Sequence, residues 1–258
     1  MVPHAPTLTR PIGAGLVWEL VLRNLRLRYR RSALGLLWAQ LAPLAYVVVL
    51  TIVFTRVVPL DIEHYPVFVL LGMLPWLWFQ AALVAGTTSV VYSPDLLRQP
   101  GFPRLVLPLV AVASTLAHHV LALPVALAAG AIVTGRLSVT ALAVVPLLAV
   151  QFLLCSGPAF ALACLHARLR DTAHLLSVLL IPCFYATPVL YDATALDAVP
   201  ALRLNPMAPI VDGYRDAVLR GTWPPVGPLL VVTGAGLVLL IGGLSLYRAR
   251  MPRFVEDL

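Results

Sequence analysis

The 258-residue chain contains no lysine; all 18 of its basic residues are arginines. That absence excludes two chemistries. A Walker A phosphate loop places a Lys on the β- and γ-phosphates, and Schiff-base or pyridoxal chemistry needs a Lys amine. Any nucleotide that drives this protein must therefore be bound by another chain. Charge of either sign is scarce, at 11% of residues against about 25% in an ordinary soluble domain. Cysteine is scarce too. Cys155, Cys164 and Cys183 stand singly in apolar runs without C-x-x-C spacing, which reads as three buried thiols rather than a disulfide framework or a zinc site.

What is present is apolar: 60% of residues, with a mean hydropathy of +0.93. This is the composition of a membrane protein. The first long apolar run, from about Leu34, follows six arginines and has no small-residue cleavage site. It is too long and too late for a removable signal peptide. Arg30-Arg31-Ser32 has the look of a twin-arginine export signal, but that signal serves folded soluble cargo, and several further spans follow here.

A membrane-crossing helix needs about 20 apolar residues. Six segments are expected to cross: Leu34 to Val58, Pro66 to Val91, Leu105 to Val133, Leu137 to Leu165, Leu175 to Leu190, and Pro228 to Leu246. With the N-terminus inside, thirteen arginines fall on the cytoplasmic side and five outside, so the positive-inside rule puts both termini in the cytoplasm. The rule also accounts for most of the positive charge without nucleic acid.

Three connections carry structure of their own. Residues 15–31 repeat Trp18, Leu22, Leu25 and Tyr29 at helical spacing, with Glu19, Arg23, Arg26 and Arg30 about 100° away. Such a helix can lie in the headgroup layer facing anionic lipid, or pack on a partner subunit. Tyr92 to Arg104, punctuated by Pro94, Pro100, Gly101 and Pro103, is a compact cytoplasmic knuckle. The outer stretch 191–227 is too apolar for a free loop and too proline-broken for a span, so short helices dipping into the outer leaflet are expected there. Span five is short and interrupted by Pro182 and Pro188; broken helices of this kind occur where they line a cavity or pack inside protein.

The chain resembles the membrane subunits of ABC-2 type exporters that move lipid-linked polysaccharides such as O-antigen, teichoic acid or galactan across the bacterial inner membrane. The resemblance runs from about Leu16 to Arg250. It is carried by Arg28-Tyr29-Arg30 with Ser32, Leu34-Gly35-Leu36-Leu37-Trp38 and Pro43, Phe102-Pro103-Arg104 with Leu107-Pro108, Arg170-Asp171 with His174, Thr187-Pro188-Val189 with Tyr191, and Asn205-Pro206-Met207. There are two departures: Arg23-Asn24 stands where Arg-Asp is usual, and Arg104 where Lys is as common. The resemblance implies an all-α, six-span membrane domain over residues 1–258 in which the bundle occupies 34–246 and the outer gate helices 191–227. It further implies a homodimer bound to two copies of a separate ATPase that holds ATP and Mg, with no cofactor or metal in this chain and no enzyme activity of its own.

On that reading, ATPase closure is transmitted by stiff elements protruding into the cytoplasm. Tyr92, Asp95, Arg98 and Arg104 of the knuckle, Phe102 as an apolar plug, and Arg23, Arg26 and Arg30 of the amphipathic helix are the candidates, with solvated loop charges as the alternative. A sugar polymer is polar yet has flat C–H faces, so its conduit combines aromatic rings with hydrogen-bonding groups. Trp76, Trp78, Phe79, Gln80 and Thr87 of span two form the best such set, although an interfacial Trp belt has the same composition. His118 and His119 are intramembrane ionisable residues that either bond across to Gln151 or Ser156 as structural glue or line the channel. Gln151, Ser156 and Thr115 carry the same choice. Tyr191, Asn205 and Tyr214 are candidates for the outer gate. Arg56 can snorkel to the headgroups. Asp212 and Asp216, four apart near Arg215 and Arg220, read as surface ion pairs. The alternatives are an ABC-2 exporter of a drug or lipid, or an integral-membrane enzyme; the thin spread of acids and the lack of a G-x-S-G serine motif speak against the enzyme.

Overall fold

The computed structural model describes residues 14–29, 38–57, 62–192, 194 and 204–255, and every regular element among them is helical. In chain order these are α1 (Ala14–Tyr29), α2 (Trp38–Ile52, continued as a wide turn through Val57), α3 (Tyr65–Thr88), α4 (Pro94–Leu97), α5 (Val106–Thr134), α6 (Val144–Arg168), α7 (Thr172–Tyr185), α8 (Ala208–Arg215, continued as a wide turn through Arg220) and α9 (Val226–Val255). A tight 3-10 turn, Val139–Ala143, leads into α6.

Among the described residues, four helices are long and apolar enough to cross a membrane: α3, α5, α6 with its leading turn, and α9. Their 24 to 30 residues extend about 36–45 Å at 1.5 Å per residue. The segments expected as spans one and five are shorter helices, α2 with 15 residues and α7 with 14. Residues 34–37 and 58 of span one lie outside the described residues. Span five ends as a helix at Tyr185 rather than Leu190. Pro182 cannot donate to the ladder, and Pro188 disfavours helical backbone at Thr187, so residues 186–189 turn instead. The sixth expected span, α9, in contrast runs past Leu246 through Arg248 and Arg250, because arginine continues a helix well and no breaker intervenes before Pro252.

Small residues set how closely the helices cross. Gly157 of α6 and Gly243 of α9 meet so tightly that a β-carbon on either would run into the opposite backbone, and Gly86 of α3 stands in the same relation to Ala159. In an apolar solvent, such close backbone approach replaces the hydrophobic drive that packs soluble helices. Gly135, at φ 68°, closes α5 in a left-handed conformation that an L side chain adopts only at a cost.

One buried cluster fills the α8 end of the bundle, around Leu71, Leu147, Ile210 and Tyr214. A second fills the α4 end, where Leu16, Leu20, Val21, Phe102, Phe160 and Tyr247 pack together. Helix α1 thus buries Leu16, Leu20 and Val21 against the bundle, while Trp18 is 62% exposed. The expected stripe through Trp18 is not the packed face, because docking on α5 selects the Leu16–Leu20 side. Asn24 fixes this contact by donating to the Ser114 hydroxyl at 3.3 Å. Cys155 and Cys164 are buried, but Cys183 is exposed on the outward side of α7, contrary to the expectation of three buried thiols.

Candidate functional site: an aromatic groove between two anchored ends

Helices α2, α3 and α7 border a groove of about 290 Å³ lined by Tyr46, Trp76, Phe184 and Tyr185 beside Gln80. Trp76 is the hub. Its ring centroid lies 5.6 Å from that of Phe79 and 5.6 Å from that of Phe184, and Phe184 meets Tyr185 edge-on at 5.3 Å. Tyr46, Tyr185 and Gln80 are exposed. Aromatic faces next to an amide and phenol hydroxyls are the combination that binds a sugar ring, which offers C–H faces and hydroxyls together.

Beyond the groove, the turn after α7 is pinned to α8. The Asn205 amide donates to the carbonyl of Ala186 at 3.1 Å and to the Thr187 hydroxyl at 2.8 Å, while its oxygen accepts from the N–H of Met207 at 2.9 Å. Arg215, completely buried, supplies the second pin. Its Nη1 donates to the Pro188 carbonyl at 2.7 Å, its Nη2 to Val189 at 2.8 Å and its Nε to Phe68 at 3.3 Å. The guanidinium carbon lies 3.4 Å from the centroid of the Phe68 ring. Burial pulls this guanidinium down to about 9, and Asp212 opposes that shift; it remains a cation at neutral pH. Arg220 holds the surface of the same corner through Asp216 at 2.7 Å, Asp212 at 2.9 Å and Asp192 at 3.1 Å. Tyr191, half-buried, donates its hydroxyl to the Tyr185 carbonyl at 2.8 Å.

At the other end, α4 forms the tip of the knuckle. Tyr92, Asp95 and Arg98 are exposed and Arg104 is half-buried. The Tyr247 hydroxyl donates to the Arg104 carbonyl at 2.9 Å, which ties the knuckle to α9.

The profile of the ABC-2 type transporter family matches residues 15–219. The chain belongs to that family. It is similar along nearly its whole length to two proteins named O-antigen export system permease protein RfbA. The one from Myxococcus xanthus is 32% identical over 249 residues, 95% of each chain. The other, from Klebsiella pneumoniae, is 28% identical over 242 residues, 92% of each.

Within this ABC-2 transporter chain, the residues expected in the channel separate into two groups. Trp76 and Gln80 line the groove, and Phe79 packs on Trp76. Trp78, two residues from Trp76, points elsewhere on the helix; both rings are buried, at 2% and 3% exposed, but Trp78 stacks on His119 at 5.0 Å instead of lining the groove. His119 in turn bonds the Tyr214 hydroxyl at 3.1 Å, not Gln151 or Ser156. Gln151 reaches the Pro75 carbonyl at 2.7 Å. Thr87, Thr115 and Ser156 bond carbonyls of their own helices. All of these are buried within the single chain; Trp78, His119 and Gln151 join its helices, Thr87, Thr115 and Ser156 bond within their own, and none lines the groove. His118 is half-buried on α5.

Two other expectations change. Phe102 is not a plug offered to a partner; it is 7% exposed, inside this chain's own core. The Pro-Gly-x-Pro turn folds it back under α4, because an apolar ring gains more from the neighbouring core than from water. Arg215 does not pair with acids at the surface; among the described residues that role falls to Arg220. The sequence held the signal for this: Arg215 is four residues from Val211 and three before Val218, on the apolar side of α8. Tyr46, Phe184 and Tyr185 were missed, since only tertiary packing brings α2 and α7 beside α3. Arg23 and Arg26 are exposed on α1, and Arg30 lies outside the described residues.

Proposed function

We propose that this chain is the transmembrane subunit of an exporter that moves a lipid-linked polysaccharide, of the O-antigen class, across the bacterial inner membrane, powered by ATP and Mg held in a separate ABC ATPase. The observation that carries this reading is the 32% identity to an O-antigen export permease across 95% of both chains. The aromatic groove supports it with chemistry suited to a sugar chain. Six spans, with α2 and α7 as the first and fifth, and α1 lying in the headgroup layer, complete a domain whose termini are cytoplasmic by its arginine distribution. Two copies of the chain and two ATPases form the working assembly. The exposed tip of the knuckle, with Tyr92 and Asp95, and the outer face of α1, with Arg23 and Arg26, are the surfaces that receive the ATPase stroke. The groove is the wall of the conduit, and the pinned turn with Tyr191 and Asn205 is its outer gate, with Tyr214 buried behind it.

The test is reconstitution in liposomes with the ATPase encoded beside this chain. ATP turnover should rise with lipid-linked glycan and not with drugs or phospholipid. Stimulation by drugs alone, or ATP hydrolysis by this chain unaided, overturns the reading.

A further inference from the structure

Three arginines converge on one cavity at the α4 end of the bundle. Arg98 at the end of α4, Arg104 in the turn that follows and Arg170 in the α6–α7 corner line a space of about 320 Å³ together with Val90, Pro94 and Leu97. Among the described residues, none of the three guanidiniums makes an ion pair. Asp95 and Asp171 are close to Arg98 and Arg170 in sequence, but neither lines the cavity. Like charges gathered without a counter-charge repel, so the cavity is electrostatically incomplete as it stands. Each guanidinium offers five N–H donors in a planar fork, the geometry that meets the oxygens of a phosphoryl group two at a time.

The position says what carries that group. The cavity lies just beyond the last residue of α3, Thr88, and between the end of α6 at Arg168 and the start of α7 at Thr172. This is the common end of apolar helices, the level at which a membrane-spanning chain meets lipid headgroups. Its wall also has an accessible apolar part, with Val91 and Leu97 half-buried and Pro94 exposed. Cations at the rim and hydrocarbon behind them match an amphiphile better than a free ion or a protein carboxylate.

We propose that this cavity binds the phosphoryl group of a membrane lipid, with Arg98, Arg104 and Arg170 on its oxygens and the first carbons of its chain against Val91, Pro94 and Leu97. The inference requires that the chain sit in a membrane, and it is independent of which substrate is exported.

The test is a binding measurement on the full-length chain in detergent micelles, alone and with its ATPase. The probes are geranylgeranyl diphosphate, a short-chain phosphatidylglycerol and inorganic pyrophosphate. At least one lipid probe should bind saturably and more tightly than pyrophosphate, and the stronger of the two shows whether an isoprenoid diphosphate or a phospholipid headgroup is the source. The R98Q/R104Q/R170Q variant should weaken that binding at least about tenfold, since it removes the charge-assisted hydrogen bonds of three guanidiniums. The triple Lys variant, which keeps the charge and the fold but loses the fork, should recover part of it. Equal binding of pyrophosphate, no saturable lipid binding, or lipid binding unchanged in the Gln variant overturns the proposal. Loss of the ATPase with lipid binding intact overturns it in favour of a protein carboxylate. None of these readouts depends on transport, so failure of the pocket and failure of the export reading remain distinguishable.

Discussion

Gly72 of α3 leaves the space that the guanidinium of Arg215 occupies. A β-carbon at residue 72 would lie 2.7 Å from Nη2 of Arg215 and 2.9 Å from the carbonyl oxygen of Val189. The absence of a side chain on one helix thus admits a buried cation from another, and that cation gathers the Pro188 and Val189 carbonyls of a proline-broken turn. Removing Arg215 would strand those carbonyls. Arg215→Ala is expected to lower stability by about 3 kcal/mol or more, since each buried group left unpaired costs about 1–3 kcal/mol. Arg215→Lys should recover only part, having no fork, and Gly72→Val should resemble Arg215→Ala. Unfolding by SDS titration in mixed micelles measures all three, and a wild-type curve for Arg215→Ala would refute the pin.

Asn205 and Thr187 should be coupled, because one amide hydrogen of Asn205 ends on the Thr187 oxygen. In a double-mutant cycle of Asn205→Ala and Thr187→Ala, the interaction energy should be about 0.5–1.5 kcal/mol. Strict additivity would mean that the turn is held elsewhere.

The groove and the buried set should respond differently. Tyr46→Ala combined with Tyr185→Ala removes two exposed rings, each worth about 0.5–1.5 kcal/mol in an aromatic contact. Glycan-stimulated ATP turnover should then need roughly tenfold more glycan, with basal turnover unchanged. Tyr214→Phe instead takes away the partner of His119, and it should reduce stability by about 1–3 kcal/mol while leaving the glycan response alone. A shifted glycan response in Tyr214→Phe with normal stability would place that pair in the conduit.

Acid should loosen the outer corner. Burial pushes the Asp192 carboxyl up, but the N–H and hydroxyl of Thr194, together with Arg220, outweigh this and hold it below the usual carboxylate range. A carboxylate depressed in the folded state contributes stability that is complete above its unfolded value of about 3.9 and is lost as pH falls through the folded value. The change therefore lies below about pH 4 and is small, because both partners are more than a third exposed. Trp223, exposed beside this corner, reports it by fluorescence. Asp192→Asn should flatten the acid limb of that titration, and an unaltered limb would assign the transition to other groups.

Much of the architecture was legible in the chain alone. Helices α3, α5, α6 and α9 declared themselves because about 20 uninterrupted apolar residues have no other stable solution in lipid, and the lack of lysine excluded a phosphate loop from this chain before any fold was known. Side-chain direction was not legible. Trp76 and Trp78 are two residues apart and equally aromatic, yet one reaches a groove and the other is sealed against His119, because the choice depends on which neighbours α3 meets on each face. Phe102 and Arg215 make the same point with opposite chemistry, an apolar ring and a cation that were both expected at a surface and are both buried. Composition and periodicity determine what must leave water. Which partner each residue finds is set by helices far apart in sequence, and only their packing decided it.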